Sequence, residues 1–272
     1  MAIHIARLVT HQVPGRPLGR LVEHDDRSRL YAFAPDVTTT DGLVSKVHTV
    51  RVPVLDQGDV GACTGFAAEA CVGTDPFYSA MPDALPGKPT LDAGTDTGQA
   101  LSLYAAATVL DSFPGVYPPD DTGSTGLAAA KAAQRAGLIS GYRHCFSLTS
   151  TLKALTVVPV IVGTVWLESM DSPDENGHVE VSGSVRGGHE YCLYGLDVEQ
   201  RLVWARNSWG PGFGRDGCFS LSWDDLGALL DQQGDATVMV PLTQPAPIPV
   251  PESQADRVLA TQMRTWLTAK GL

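Results

Sequence analysis

A chain of 272 residues with 43% hydrophobic residues and a formal charge of −11 can bury a sizeable core, as one large domain or two small ones. The acidic balance argues against nucleic-acid binding, which needs a basic face to displace counterions from phosphate, and against adhesion to an anionic membrane surface. Charged residues at 18% give an ordinary globular composition rather than a disordered one.

The first residues, Met1-Ala2-Ile3-His4-Ile5-Ala6-Arg7, open no apolar run long enough for a secretory signal, and Pro14-Gly15 soon interrupts the chain. No later stretch has the length needed to cross a bilayer. The expectation is cytoplasmic synthesis without a signal peptide. Residues 1–45 are polar and punctuated and read as an N-terminal extension lying on the core. Val47 to Val52 alternates apolar and polar side chains, a half-buried strand signal, and leads into a loop carrying Gln57. Phe66 to Cys71 is helix-compatible. A loop rich in Pro, Gly and Asp spans 74–96. Helices are expected from Gly98 to about Ala107, before Pro114, and from near Ser124 to Gly137, a natural stop.

From Val157 the character changes. Val157–Val165, Val179–Val181 and Thr237–Val240 are rich in β-branched residues. His189–Leu196 and Leu202–Arg206 look like adjacent strands joined by a turn at 197–201. Helices first and strands later predict an α+β chain with two lobes, residues 46–243 forming the main domain. Residues 244–252, with prolines at 245, 247, 249 and 251, read as a stiff linker. Beyond it, Leu259, Met263, Trp266 and Leu267 recur at helical spacing. This predicts an amphipathic helix over 253–272 that docks on its own chain, self-associates or meets a partner through residues 253–270.

The five cysteines, Cys63, Cys71, Cys145, Cys192 and Cys218, form no CxxC pair, so a disulfide framework or structural zinc site is not expected. His24, His48, His144 and His178 lack metal-ligand spacings, and no cofactor or metal is expected. Gly210–Gly214 lacks the lysine and following helix of a phosphate loop and reads as a turn. Cys63 is different, because a constellation accompanies it. Gln57 lies six residues before it, His189 126 residues after it and Asn207 144 after it. A thiol nucleophile needs a base to ionise it, a group to aim that base, and donors for the oxyanion. Cys63 at a helix start would have its thiolate stabilised by free amide N–H groups and the helix dipole. A neighbouring imidazolium would make the reactive form an ion pair at neutral pH. Gln57 and the Cys63 N–H would bind the oxyanion. Asn207 would orient His189 and Trp209 would shield that bond. Gly61 and Gly188 would let the backbone come close to substrate. The cysteine falls in the helical lobe and the histidine and asparagine in the β lobe. A peptide or protein substrate is therefore expected in the cleft between them.

The segments Asp56–Phe66, Gly187-Gly188-His189 and Asn207–Gly214 resemble the papain family of cysteine peptidases, and residues 118–137 are similar to its branch in bacteria and bacterial viruses. The resemblance spans about residues 45–243. It implies a two-lobed papain fold and hydrolysis of peptide bonds through a thioester on Cys63, with His189 as general base and acid. Association with a virion would follow for a chain encoded by a bacterial virus. Thr64 stands where the family places tryptophan, Glu190 where a small residue is usual, and Val60 where secreted members have a disulfide cysteine. The 62 residues before Cys63 are too few for the long inhibitory propeptide of those members. Two other readings remain. One is an amidase or endopeptidase acting on cell-wall peptides. The other is a catalytically silent structural or binding protein.

Overall fold

Alanine-rich helices and β-branched strands segregate as their side chains require. In the computed structural model, which describes residues 2–8, 13–34 and 38–242, the chain begins with an antiparallel hairpin of β1 (Ile3–Ala6) and β2 (Val22–Asp25). A two-residue strand β3 (Lys46–Val47) follows. The helices α1 (Cys63–Val72), α2 (Phe77–Ala80), α3 (Ala93–Leu110) and α4 (Gly126–Arg135) make the first lobe. The second contains β4 (Gly141–Cys145), α5 (Leu148–Leu155), β5 (Val160–Leu167), β6 (Val185–Asp197), β7 (Leu202–Arg206), β8 (Cys218–Ser222), α6 (Trp223–Asp231) and β9 (Asp235–Val240). The linker expected over 244–252 and the helix over 253–272 lie outside the described residues.

Helices α1, α3 and α4 pack against one another through Ala67, Ala68, Ala107, Ala128, Ala129 and Ala132, all buried. Small side chains allow close helix approach without a bulky core between them. The strands form one sheet in the order β4-β9-β5-β6-β7-β8, with β3 paired to β6. All eight residues of β5 are buried, which is why its sequence is a continuous apolar run rather than an alternation. Helix α1 also packs on β6, so the two lobes meet along the element that begins with Cys63 and the strand that carries His189.

Several expected boundaries shift for visible reasons. The strand expected at 157–165 starts only at Val160, because the Val157 and Val158 amides still donate to Ala154 O at 2.8 and 2.9 Å, closing α5. Val179–Val181 is not a strand. Val179 N–H donates to Ser220 O at 3.1 Å, and the Ser169 hydroxyl takes up the carbonyls of Glu180 and Ser182 at 2.6 and 2.7 Å. Of the strand expected at 47–52 only Val47 is paired in β3; Arg51 and Val52 both donate to Gly73 O instead. Helix α3 begins earlier than the sequence suggests, because the Asp92 carboxylate caps it by accepting from Thr95 N at 2.9 Å. Among the described residues no helix is long and apolar enough to cross a membrane.

Candidate active site

Cys63 is the first residue of α1, whose end has no side-chain cap. It is fully buried. The loop before it is braced from the helical lobe: Gly61 N–H donates to Asp121 Oδ2 at 2.8 Å, and Asp121 Oδ1 accepts from the Tyr104 hydroxyl at 2.6 Å. The tyrosine in turn accepts from Gly123 N at 2.9 Å.

His189 and Asn207 are brought together by register. Strands β6 and β7 pair with Cys192 opposite Arg206, so the chain leaving β7 carries Asn207 back towards His189. His189 Nε2 lies 2.7 Å from Asn207 Oδ1. The same Oδ1 accepts from Ser208 N–H at 2.8 Å, which fixes the amide orientation, since a flipped amide would set two donors against each other. An acceptor at Nε2 requires the proton to sit there. Nδ1 is therefore the unprotonated nitrogen, buried and without a partner, with its lone pair free to act as a base. The Trp209 ring lies tilted against the imidazole at 4.7 Å and Trp166 meets it edge-on at 4.9 Å.

Gln57 approaches from the other lobe. Its Nε2 donates to Val60 O at 2.7 Å, its Oε1 accepts from the Ser208 hydroxyl, and its backbone N–H donates to Ser208 O at 2.9 Å. Ser208 thus holds the glutamine and the asparagine at once. Its role went unassigned in the sequence although it sits inside the Asn-Ser-Trp-Gly run. Trp166 and Asp121 likewise carry no local motif that would mark them.

The cleft between the lobes is filled by the chain itself. Residues 16–21 thread across it, touching both sides. Arg186 donates to Arg16 O at 2.9 Å and Trp209 Nε1 to Pro17 O at 3.2 Å. Ser124 N donates to Gly19 O at 2.8 Å, Arg20 N to Gly188 O at 3.0 Å and Leu21 N to Ser124 O at 2.7 Å. The backbone N–H groups of Gly19 and Glu190 both lie against the Cys63 sulfur. The extension expected merely to lie on the core therefore covers Cys63, and a short segment suffices to do so.

This closure changes the charge state that the sequence suggests. Burial pushes the Cys63 thiol up to about 12 and pulls His189 down to about 4 against the support of Asn207. At neutral pH both are uncharged, and the expected ion pair is absent from the closed form because no water or counter-charge solvates it. Labelling should show this. In the native chain iodoacetamide is expected to alkylate Cys218 first, since of the five cysteines it alone is partly exposed. A side-chain carbon at Gly188 would stand 2.4 Å from Arg20 O. Gly188→Ala should therefore displace the segment and bring Cys63 to the front of the labelling order. Cys63 reacting first in the native chain would show that residues 16–21 do not cover it.

No protein-family model matches the chain. Its sequence is similar to a cathepsin B-like protein, CP3, of Giardia intestinalis, with 26% identity over 193 residues, 62% of this chain. The chain spans only 63% of that relative's length. Its structure is similar to xylellain, a cysteine protease from Xylella fastidiosa, at a TM-score of 0.65 with 17% identity, covering 86% of this chain and 100% of that one. A digestive procathepsin L 3 from the larval midgut of Tenebrio molitor matches at a TM-score of 0.53 and 14% identity, over 83% of this chain and 76% of that one. The mixed helix-and-sheet architecture is thus the papain-like cysteine protease fold, with the cysteine on the helical lobe and the histidine and asparagine on the sheet lobe.

Proposed function

We propose, from the papain-like fold and the groups assembled at its lobe interface, that the chain is a cysteine peptidase. The observation that carries this reading is the histidine tautomer. Asn207 holds the proton on Nε2 and leaves Nδ1 as a buried lone pair on the strand against which the Cys63 helix packs.

Once residues 16–21 leave the cleft, water and substrate can solvate the dyad and the thiol proton can pass to His189 Nδ1. The sulfur then attacks the substrate carbonyl, and its π electrons move to oxygen. The oxyanion is met by the Cys63 N–H and by the Gln57 side chain, whose second N–H is not used by Val60. Collapse breaks the C–N bond, the departing amine takes the proton from His189, and Cys63 is left as a thioester. Water then attacks that thioester, giving its proton to His189, and the thiol is restored. Residues 46–243 form the catalytic unit in this reading, and the N-terminal 45 residues contain the segment that closes it. Peptide or protein substrate enters between the lobes.

The experiment that tests it is trapping of the acyl group. A full-length chain opened by Arg20→Ala, mixed with a peptide ester and quenched in acid, should carry the acyl group on Cys63 by mass spectrometry. No acylated Cys63 at any time point would end the reading.

A further inference from the structure

Arg206, the last residue of β7, is 7% exposed, although arginine is seldom buried unless paired. Among the described residues no hydrogen bond or ion pair satisfies its guanidinium. The residues facing it across the sheet are thiols, not carboxylates: β6 sets Cys192 opposite it and β8 sets Cys218. Of the ionisable groups around the guanidinium, Cys218 meets it most strongly, ahead of Cys192 and Tyr194. Cys218 is also the one cysteine of the five that is not buried. It stands in an open depression of about 320 Å³, lined as well by Val47, Tyr194, Trp204, Arg215 and Asp216. We propose that Cys218 is a thiol modification site at which small peptide disulfides bearing carboxylates form a mixed disulfide, with Arg206 receiving a carboxylate.

The unpaired guanidinium is the first argument. A charge taken out of water without a counter-charge is costly, so an arginine kept here without a carboxylate marks a place prepared for an anion. Trp204 and Arg206, two residues apart on one strand, share a face of the sheet, and Cys218 lies opposite Arg206 on that face. An anion held by Arg206 is therefore held beside the sulfur. Arg215 adds an exposed cation to the lining. Asp216, exposed beside it, suits the ammonium that a peptide carries at its amino end.

The setting of the sulfur is the second. Burial raises the Cys218 thiol above its ordinary value, and Arg206 and a hydrogen bond from the Tyr194 hydroxyl oppose that rise. Both groups favour the thiolate, which is the form that attacks. The exchange is complete in itself. Cys218 gives its proton to solvent, its sulfur bonds to one sulfur of the disulfide, and the original S–S bond breaks. The departing thiolate takes up a proton. The Cys218 sulfur is oxidised and the departing sulfur reduced, so the disulfide is the only oxidant required.

The formal charge of −11 repels an anionic reagent over longer range, so a preference for one must come from the site itself. The test uses the full-length chain with glutathione disulfide as the anionic probe and hydroxyethyl disulfide as the neutral one. Mass spectrometry of the Cys218 peptide gives the rate of mixed-disulfide formation with each. Both reagents meet the same thiolate, so the ratio of the two rates reports recognition of the carboxylates. The same chain unfolded in urea supplies the reference ratio. The native ratio should exceed that reference by at least about tenfold, the effect of one charge-assisted contact. Arg206→Met should return it to the reference. A native ratio no higher than the reference overturns the site, and so does a raised ratio that survives in Arg206→Met. Failure of Cys218 to react while another cysteine does so overturns it as well. If Arg206→Met does not fold, the native and unfolded ratios decide alone.

Discussion

Cys63→Ala and His189→Ala are expected to abolish peptide hydrolysis, while Gln57→Ala lowers turnover by about 10²–10³ without abolishing it. The gradation follows from what each group does. Without the sulfur there is no bond to form, and without Nδ1 nothing accepts the thiol proton or returns one to the leaving amine. Gln57 only supplies one of two donors to an oxyanion, so its loss costs transition-state stabilisation alone. Asn207→Ala should fall between, because the imidazole keeps its place between Trp209 and Trp166 but loses the acceptor that sets its tautomer. The measurement is kcat on a peptide substrate in a chain opened by Arg20→Ala, with iodoacetamide labelling of Cys63 alongside. Gln57→Ala should leave labelling intact, since no bond joins the glutamine to the histidine, whereas Asn207→Ala should slow it. Unchanged kcat in Gln57→Ala would remove the glutamine from its assigned role.

Trp166→Ala is expected to destabilise the native chain by about 3–5 kcal/mol, the range for emptying a large buried aromatic site. Trp166 is fully buried and stands at the centre of a ring cluster, 5.1 Å from Trp209, 5.6 Å from Phe219 and 4.9 Å from His189. Its indole N–H donates to Asp171 Oδ1 at 2.9 Å, and Asp171 also pairs with Arg186, which holds the carbonyl of Arg16. One side chain thus supports both the wall behind the imidazole and the anchor of the covering segment. Trp166→Phe keeps most of the ring contacts and loses the bond to Asp171, so it should cost less, about 1–3 kcal/mol. Urea denaturation read by far-UV dichroism gives both values, provided the slope with denaturant is unchanged. A midpoint for Trp166→Ala equal to that of the native chain would contradict a ring cluster packed at the heart of the β lobe.

The residues assigned to the chemistry proposed here were singled out along the chain because their local settings carry information. Cys63 follows a glycine-containing loop and opens an alanine-rich helix, and Asn207 precedes Ser-Trp-Gly. The paired strands Val185–Asp197 and Leu202–Arg206 and the buried strand Val160–Leu167 were legible too, since β-branched runs and a polar turn specify them within a few residues. Two departures from the expected strands were set by partners outside the segments themselves. Gly141–Cys145 is a strand because Asp235–Val240 pairs with it, and Val179–Val181 is not one because Ser169 and Ser220 claim its backbone groups.

Nothing in the spacing of residues 16–21 indicates that they lie across Cys63. Their placement depends on Gly188, Ser124, Trp209 and Asp235, each more than a hundred residues away. Glu190 makes the same point. In the sequence it is a departure beside the histidine, and only the approach of Gly126, Gly163, Asp235 and Arg20 makes it a buried carboxyl set beside a second carboxyl and a guanidinium. The charge state of Cys63 and His189 belongs to the tertiary structure as well. Residue types name a thiol and an imidazole, but whether they are an ion pair or two neutral groups depends on the water left around them, and the covering segment decides that. Side-chain chemistry and local periodicity are written in the chain itself, whereas desolvation and long-range contact arise only when the chain is folded.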